Sequence, residues 1–157
     1  MNAITELIDE FYGFLRQKTV LSYDEKTDWT QISTPFLGVF NDSIDIFAKR
    51  DNGKIILSDD GETLHNLELC GVSISRSAKR KEFLNSIMRN YGVTLTPGGE
   101  MIVETDDKNF PQKKLNLLSA ISEANDLYVL SKHSVESVFK EEVQSYLDEQ
   151  RIIYTPH

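Results

Sequence analysis

DSIDIFAKRDNGKIILSDDGETLHNLELCG, residues 42–71, is the stretch whose reading decides the fold. Ile44 and Ile46 alternate with Asp45, Phe47 and Lys49, the period of two expected of a strand with one buried face. Asp51-Asn52-Gly53 follows, and Asn-Gly supplies the positive-φ residues of a tight hairpin turn. Ile55, Ile56 and Leu57 form the returning strand, so residues 43–58 read as a β-hairpin. The acidic turn Asp59-Asp60-Gly61 then leads into a short helix. That helix is expected to begin near Asp60, whose carboxylate is placed to cap the free N–H groups of the first turn. Leu64 and Leu67 face inward, and Gly71 ends it.

Upstream, Ile4, Leu7, Ile8, Phe11, Phe14 and Leu15 follow the i, i+3, i+4, i+7 spacing of an amphipathic helix over residues 3–17, with Asn2 as its N-cap. Residues 18–30 carry Asp24, Glu25, Lys26 and Asp28 and read as a loop or edge strand, which Trp29 anchors to the core. Ile32, Thr34 and Phe36 alternate with Gln31 and Ser33 in a strand that Pro35 keeps short or at an edge. Downstream, Ser75 or Ser77 starts a helix to about Asn90, with Phe83, Leu84, Ile87, Met88 and Tyr91 as its apolar stripe and Gly92 as its stop. A second hairpin runs Val93-Thr94-Leu95, Pro97-Gly98-Gly99, Met101-Ile102-Val103. Asp107 or Asn109 caps the next helix, with Pro111 near its first position, and Leu115, Leu118, Ile121 and Leu127 carry it to about Lys132. Ser134 restarts a helix through Val135, Val138, Phe139, Val143, Tyr146 and Leu147, and Arg151-Ile152-Ile153-Tyr154 is apolar and β-prone.

The fold class is therefore α+β: a small antiparallel sheet of hairpins packed against helices, with a C-terminal helical pair. Residues 1–107 read as the α+β domain. Residues 108–157 read as a helical extension, the start of a second domain cut short. A chain of 157 residues with 39% hydrophobic content and eight Phe and six Tyr can bury a real core. No apolar run approaches the roughly 20 residues of a membrane span, and Glu6, Asp9 and Glu10 stand where a signal peptide would be basic. A cytoplasmic location, with no membrane association, is expected.

Net charge is −8 and uneven: Met1 to Ser75 holds 13 acidic and 6 basic residues, a balance of −7, and the remainder 12 and 11, a balance of −1. An acidic first half disfavours direct binding to a phosphate backbone, because it offers no counterion release, and suits a basic protein partner. The simpler reading of the charge is solubility. Asp42, Asp45, Asp59, Asp60 and Glu62 are the acidic cluster, the candidate binding surface. With Lys54 polarising a phosphate, Asp45, Asp59, Asp60 and Glu62 also fit a divergent metal-dependent nuclease or a fragment of one. Neither Lys49 nor Lys54 has the spacing from an acidic residue that such nucleases use, and helix capping and turn shaping account for the same carboxylates. The reading adopted has no catalytic residue, no metal and no cofactor.

Other chemistry-bearing residues read structurally. Cys70, among Leu67, Leu69, Gly71 and Val72, is a small hydrophobe at a helix end. His65, His133 and His157 lack zinc spacing, and no nucleophile elbow, Walker loop or dinucleotide fingerprint is present. Arg76, Lys79, Arg80, Lys81 and Arg89 give the third helix a basic outer face, and Tyr91 alone makes no stacking platform.

Ser33-Thr34-Pro35-Phe36, Asn41-Asp42 with Ile44 and Ile46, Leu57-Ser58-Asp59-Asp60-Gly61-Glu62-Thr63-Leu64, Leu67 and Gly71 together resemble a bacterial and phage domain family of unknown function, the one numbered 1828, over about residues 5–95. The Asp59-Asp60-Gly61 turn is the most distinctive piece. The resemblance implies a bacterial or prophage setting, and a second domain often follows this one in such proteins. It carries no catalytic residue over. The leading expectation is a non-enzymatic interaction module of phage or mobile-element origin whose acidic surface engages a basic, nucleic-acid-handling or defence protein, in its sharpest form by imitating the charge of a DNA backbone. A second copy of the chain is a further candidate partner.

Overall fold

The computed structural model describes residues 3–154, and side chains outside 132–139 and 151–154. Its elements run α1 (Ala3–Lys18), β1 (Val20–Tyr23), β2 (Thr30–Leu37), β3 (Ser43–Asp51), β4 (Lys54–Ser58), α2 (Glu62–Leu69), α3 (Ala78–Tyr91), β5 (Thr94–Leu95), β6 (Met101–Thr105), α4 (Phe110–Asn125) and α5 (Leu127–Tyr154). The strands form one antiparallel sheet in the order β1-β2-β3-β4-β6-β5. The chain is α+β, as its hairpins require.

The central hairpin pairs Phe47 with Ser58 and Asp51 with Lys54. Asn52 (φ 51°) and Gly53 (φ 79°) are both left-handed, the conformation a two-residue turn needs to match strand twist. Strand β2 lies one place in from the edge. Its pairing with β3 shifts register between Ser33 and Leu37, and Pro35, which has no N–H to give a ladder, falls inside that irregularity. β1 is one edge strand and β5 the other.

One face of the sheet is covered. Ile44, Ile46, Ile55, Leu57, Met101 and Val103 point from it into a core closed by Leu84 and Met88 of α3 and Leu117, Leu118, Ala120, Ile121 and Ala124 of α4. α4 therefore packs into the same core as the sheet. The other face carries Asp45, Phe47, Lys49, Ile56 and Ile102, all half-buried. The helix ends follow local chemistry. Ser77 Oγ accepts from the Arg80 amide at 3.2 Å to start α3, and left-handed Gly92 (φ 65°) stops it.

Several expectations are corrected. The last two helices do not divide at Lys132 and Ser134; the break is at Asp126, and α5 then runs unbroken to Tyr154. Asp126 stays right-handed, and the bonds from its amide to Ser122 and from the Leu130 amide to its carbonyl keep the ladder almost continuous. Arg151–Tyr154 is helical, not extended. Neither Gly nor Pro occurs between Pro111 and Pro156, so nothing local stops propagation. Trp29 is half-buried and lies under the Lys49 ammonium at 5.9 Å, outside the core. Phe83 and Leu115 are exposed, as is the whole apolar stripe of α1 apart from half-buried Leu15. The Asn2 cap, His157, and the side chains of His133, Val135, Val138 and Phe139 lie outside the described residues. Among the described residues no helix is long and apolar enough to cross a membrane.

Candidate functional site

The five carboxylates singled out in sequence fall into three different situations. Asp59 is 1% exposed and lies just ahead of α2, where its side chain serves the first amides of that helix. Its Oδ1 accepts from the amides of Gly61 and Met101, both at 2.8 Å, and its Oδ2 accepts from the Thr63 amide at 3.3 Å. One carboxylate thus closes the first turn of α2 and ties it to β6. The cap expected of Asp60 belongs to its neighbour. Asp60 has a left-handed backbone (φ 58°), which turns its side chain away from the helix, and its amide donates to Ser58 Oγ at 2.9 Å.

Asp42, Asp45 and Glu62 gather with Asp59 around a cleft of about 160 Å³, completed by Gly38, Ser43, Thr63, Asn66 and Asn125. The cleft exists because β4 leaves the sheet after Ser58 while β3 extends to Ser43, so the start of α2 faces a strand end that pairs with β2 but has no partner on the β4 side. Asp45 is held there: Gln31 Nε2 donates to its Oδ2 at 2.9 Å and Ser43 Oγ to its Oδ1 at 3.1 Å. Glu62 has a raised pKa, first by partial desolvation and then by the negative charges of Asp45, Asp60, Asp59 and Asp42. Among the described residues no cation pairs with this charge. The ion pairs there join Arg50 to Asp107 and Lys54 to Glu104, both elsewhere on the surface.

Asp60 opens instead onto a second cleft, of about 480 Å³, on the uncovered face of the sheet. Trp29 and Phe47 line it together with Ser22, Asp24, Gln31, Ser58 and Glu100. Glu100 accepts a short hydrogen bond from the buried Ser58 hydroxyl. Sequence reading misses Asp24, Gln31, Glu100, Asn66 and Asn125 as lining residues. They come from separate elements, and only the strand register and the packing of α4 bring them to these clefts, so no spacing along the chain announces them.

Among the described residues no three His, Cys, Asp or Glu side chains are grouped so as to hold a metal ion. Asp59 is committed to backbone amides and Asp60 faces the other cleft, so the four carboxylates of the nuclease reading do not share one centre. Lys54, the expected phosphate polariser, is paired with Glu104 on a different part of the surface. His65 is exposed on α2, and Cys70 caps the end of that helix. The basic face of α3 is largely solvated, with Arg80 donating to the Ser73 carbonyl at 3.2 Å.

A family model described as domain of unknown function DUF1828 matches residues 34–123, from the middle of β2 to near the end of α4. No curated protein and no solved structure matches the chain.

Proposed function

The chain belongs to the DUF1828 family, and for this member we propose a non-enzymatic role, as an interaction module whose acidic clefts receive cationic side chains of a basic protein. The single observation that carries this reading is the uncompensated charge of Asp42, Asp45 and Glu62. These side chains surround a cleft large enough for an ammonium or guanidinium group, and the ion pairs among the described residues lie elsewhere. A guest cation relieves the repulsion that helps to raise the Glu62 pKa, and it donates charge-assisted hydrogen bonds to the surrounding carboxylates. The same charge repels phosphate, so the reading takes a protein as partner and not nucleic acid. A basic, nucleic-acid-handling protein in a bacterial or phage cytoplasm has the required surface, and carboxylates set where its phosphates would bind give steering and salt-sensitive affinity.

The test is an NMR titration of the isotope-labelled chain with a short Lys/Arg-rich peptide at low and at physiological salt. Amide shifts are expected at residues 42–45 and 59–63, with affinity falling about tenfold between the two salt conditions. The Asp42→Asn, Asp45→Asn double variant abolishes them. Because Glu62 must be ionised, binding also weakens as pH falls through its raised pKa. Shifts indifferent to ionic strength would overturn the reading, as would Mg²⁺-dependent DNA cleavage that depends on Asp45 and Glu62.

A further inference from the structure

The cleft on the uncovered face of the sheet is built differently from the one beside α2. Read across the strand register, Gln31 of β2, Phe47 of β3 and Ser58 of β4 stand side by side as its floor. Trp29, next but one before Gln31, lies on the same face and forms a wall. Asp60 and Glu100 stand at the β4 end, where Ser58 joins them, and Asp24 at the β1 end. Among the described residues no cation lines this cleft. The Trp29 ring already draws an ammonium, that of Lys49 at 5.9 Å, but Lys49 lines a different cleft.

The carboxylates differ in what they have left to offer. Asp24 is committed to its own turn, accepting from the Lys26 amide at 2.9 Å and the Thr27 hydroxyl at 3.0 Å. The Asp60 carboxylate accepts no hydrogen bond among the described residues, and that of Glu100 accepts only from Ser58, at one oxygen. Acceptors without donors, set beside aromatic rings, select the ligand. A quaternary ammonium suits the rings but brings no N–H for the oxygens. A lysine ammonium brings donors but is compact and strongly hydrated, and gains less from the rings. A guanidinium meets both: its face stacks on a ring, its in-plane N–H groups reach carboxylates, and its apolar stem lies along the remaining ring surface. At about 480 Å³ the cleft takes a whole side chain. We propose that this cleft is an arginine receptor, so that the chain selects an arginine of its partner over a lysine. The partner is the basic protein of the preceding reading, on which this step rests.

Trp29 is the only tryptophan, so its fluorescence reports this cleft alone. Titration of the full chain at low salt with N-acetyl-arginine methylamide is expected to give a saturable change with a Kd of about 1–10 mM. The lysine counterpart, and the uncharged citrulline counterpart, should bind at least about fivefold more weakly. Asp60→Asn with Glu100→Gln, which keeps an accepting oxygen for Ser58, should weaken the arginine response at least about tenfold at unchanged far-UV circular dichroism. Asp60→Asn alone, at an exposed position whose backbone Asn adopts readily, should weaken it about threefold, and decides the matter if the pair perturbs the fold. An arginine derivative that leaves Trp29 unmoved, a lysine or citrulline derivative that moves it equally, or a response that survives these substitutions overturns the proposal. Asp42→Asn with Asp45→Asn removes the peptide shifts of the α2 cleft and should leave the Trp29 response in place, so the two readings fail separately. Loss of both together would make arginine a ligand of the α2 cleft and overturn the assignment made here.

Discussion

At the scale of single residues, two adjacent aspartates with the same local sequence do different work. Asp59 satisfies three backbone amides in the interior, whereas Asp60 sits on a left-handed turn facing solvent. Asp59→Ala leaves buried donors at Met101 and Thr63 without partners and should cost about 2–4 kcal/mol, seen as a fall in melting temperature of roughly 4–16 °C. Asp59→Asn keeps one accepting oxygen and should fall between. Asp60→Asn, which tolerates the same backbone, should be near neutral. The local sequence announces a capping aspartate here but does not say which, because the choice depends on φ at residue 60 and on a bond to Met101, 42 positions away. Glu62 allows a check of sign. Its folded-state pKa is raised above the ordinary carboxylate value, so its protonated form is favoured by the fold. That stability is present at low pH and lost as pH rises through the raised pKa. Glu62→Gln should therefore be slightly more stable than the parent at neutral pH; solvent screening of this exposed side chain holds the gain within about 0.5 kcal/mol, and the difference should vanish near pH ~4 in thermal unfolding scans.

The elements divide by whether their signal is local. The β3–β4 hairpin is legible because Asn52-Gly53 and the alternation of Ile44 and Ile46 are short-range, and α3 is legible from Ser77 and Gly92. Gly53 has φ 79°, and open space lies where a Cβ would stand, so Gly53→Ala meets no clash and its cost is conformational alone. About 1–2 kcal/mol is expected, measurable in denaturant unfolding with an unchanged slope. The α4–α5 boundary is not legible. Asp126 ends one helix and precedes another without Gly, Pro or a left-handed residue, and its right-handed backbone leaves no local stop signal to read. The stripe of α1 is helical, as its spacing predicts, yet periodicity cannot tell whether the surface that covers it belongs to the same chain. Among the described residues nothing covers it, since every α1 side chain is at least partly exposed. Amides of α1 should accordingly exchange with solvent faster than those of α4.

For the whole molecule, the governing fact is a sheet with helices on one face and charge gathered at its rim. The fold class is readable because alternation and helical periodicity are properties of single elements; the clefts are not, because they arise where β4 leaves the sheet and where separate segments meet on its uncovered face. Charge links these scales. Thirteen acidic residues against six basic ones precede Arg76, and the two ion pairs described are both exposed and worth little. The folded chain therefore brings uncompensated carboxylates closer together than the unfolded chain does, and self-repulsion opposes folding. Mobile ions screen that repulsion over a length of about 10 Å at ~0.1 M salt and about 3 Å at ~1 M. Raising sodium chloride from about 0.02 to about 0.5 M should raise the melting temperature by a few degrees, equivalent to about 1 kcal/mol for a chain of this size. A chain held together by surface ion pairs would respond in the opposite direction. If the cleft is the seat of the repulsion, the variant carrying Asp42→Asn, Asp45→Asn and Glu62→Gln should start at the higher temperature and gain much less from salt. An equal gain in both chains would place the repulsion elsewhere on the surface and remove the main support for a cation-receiving cleft.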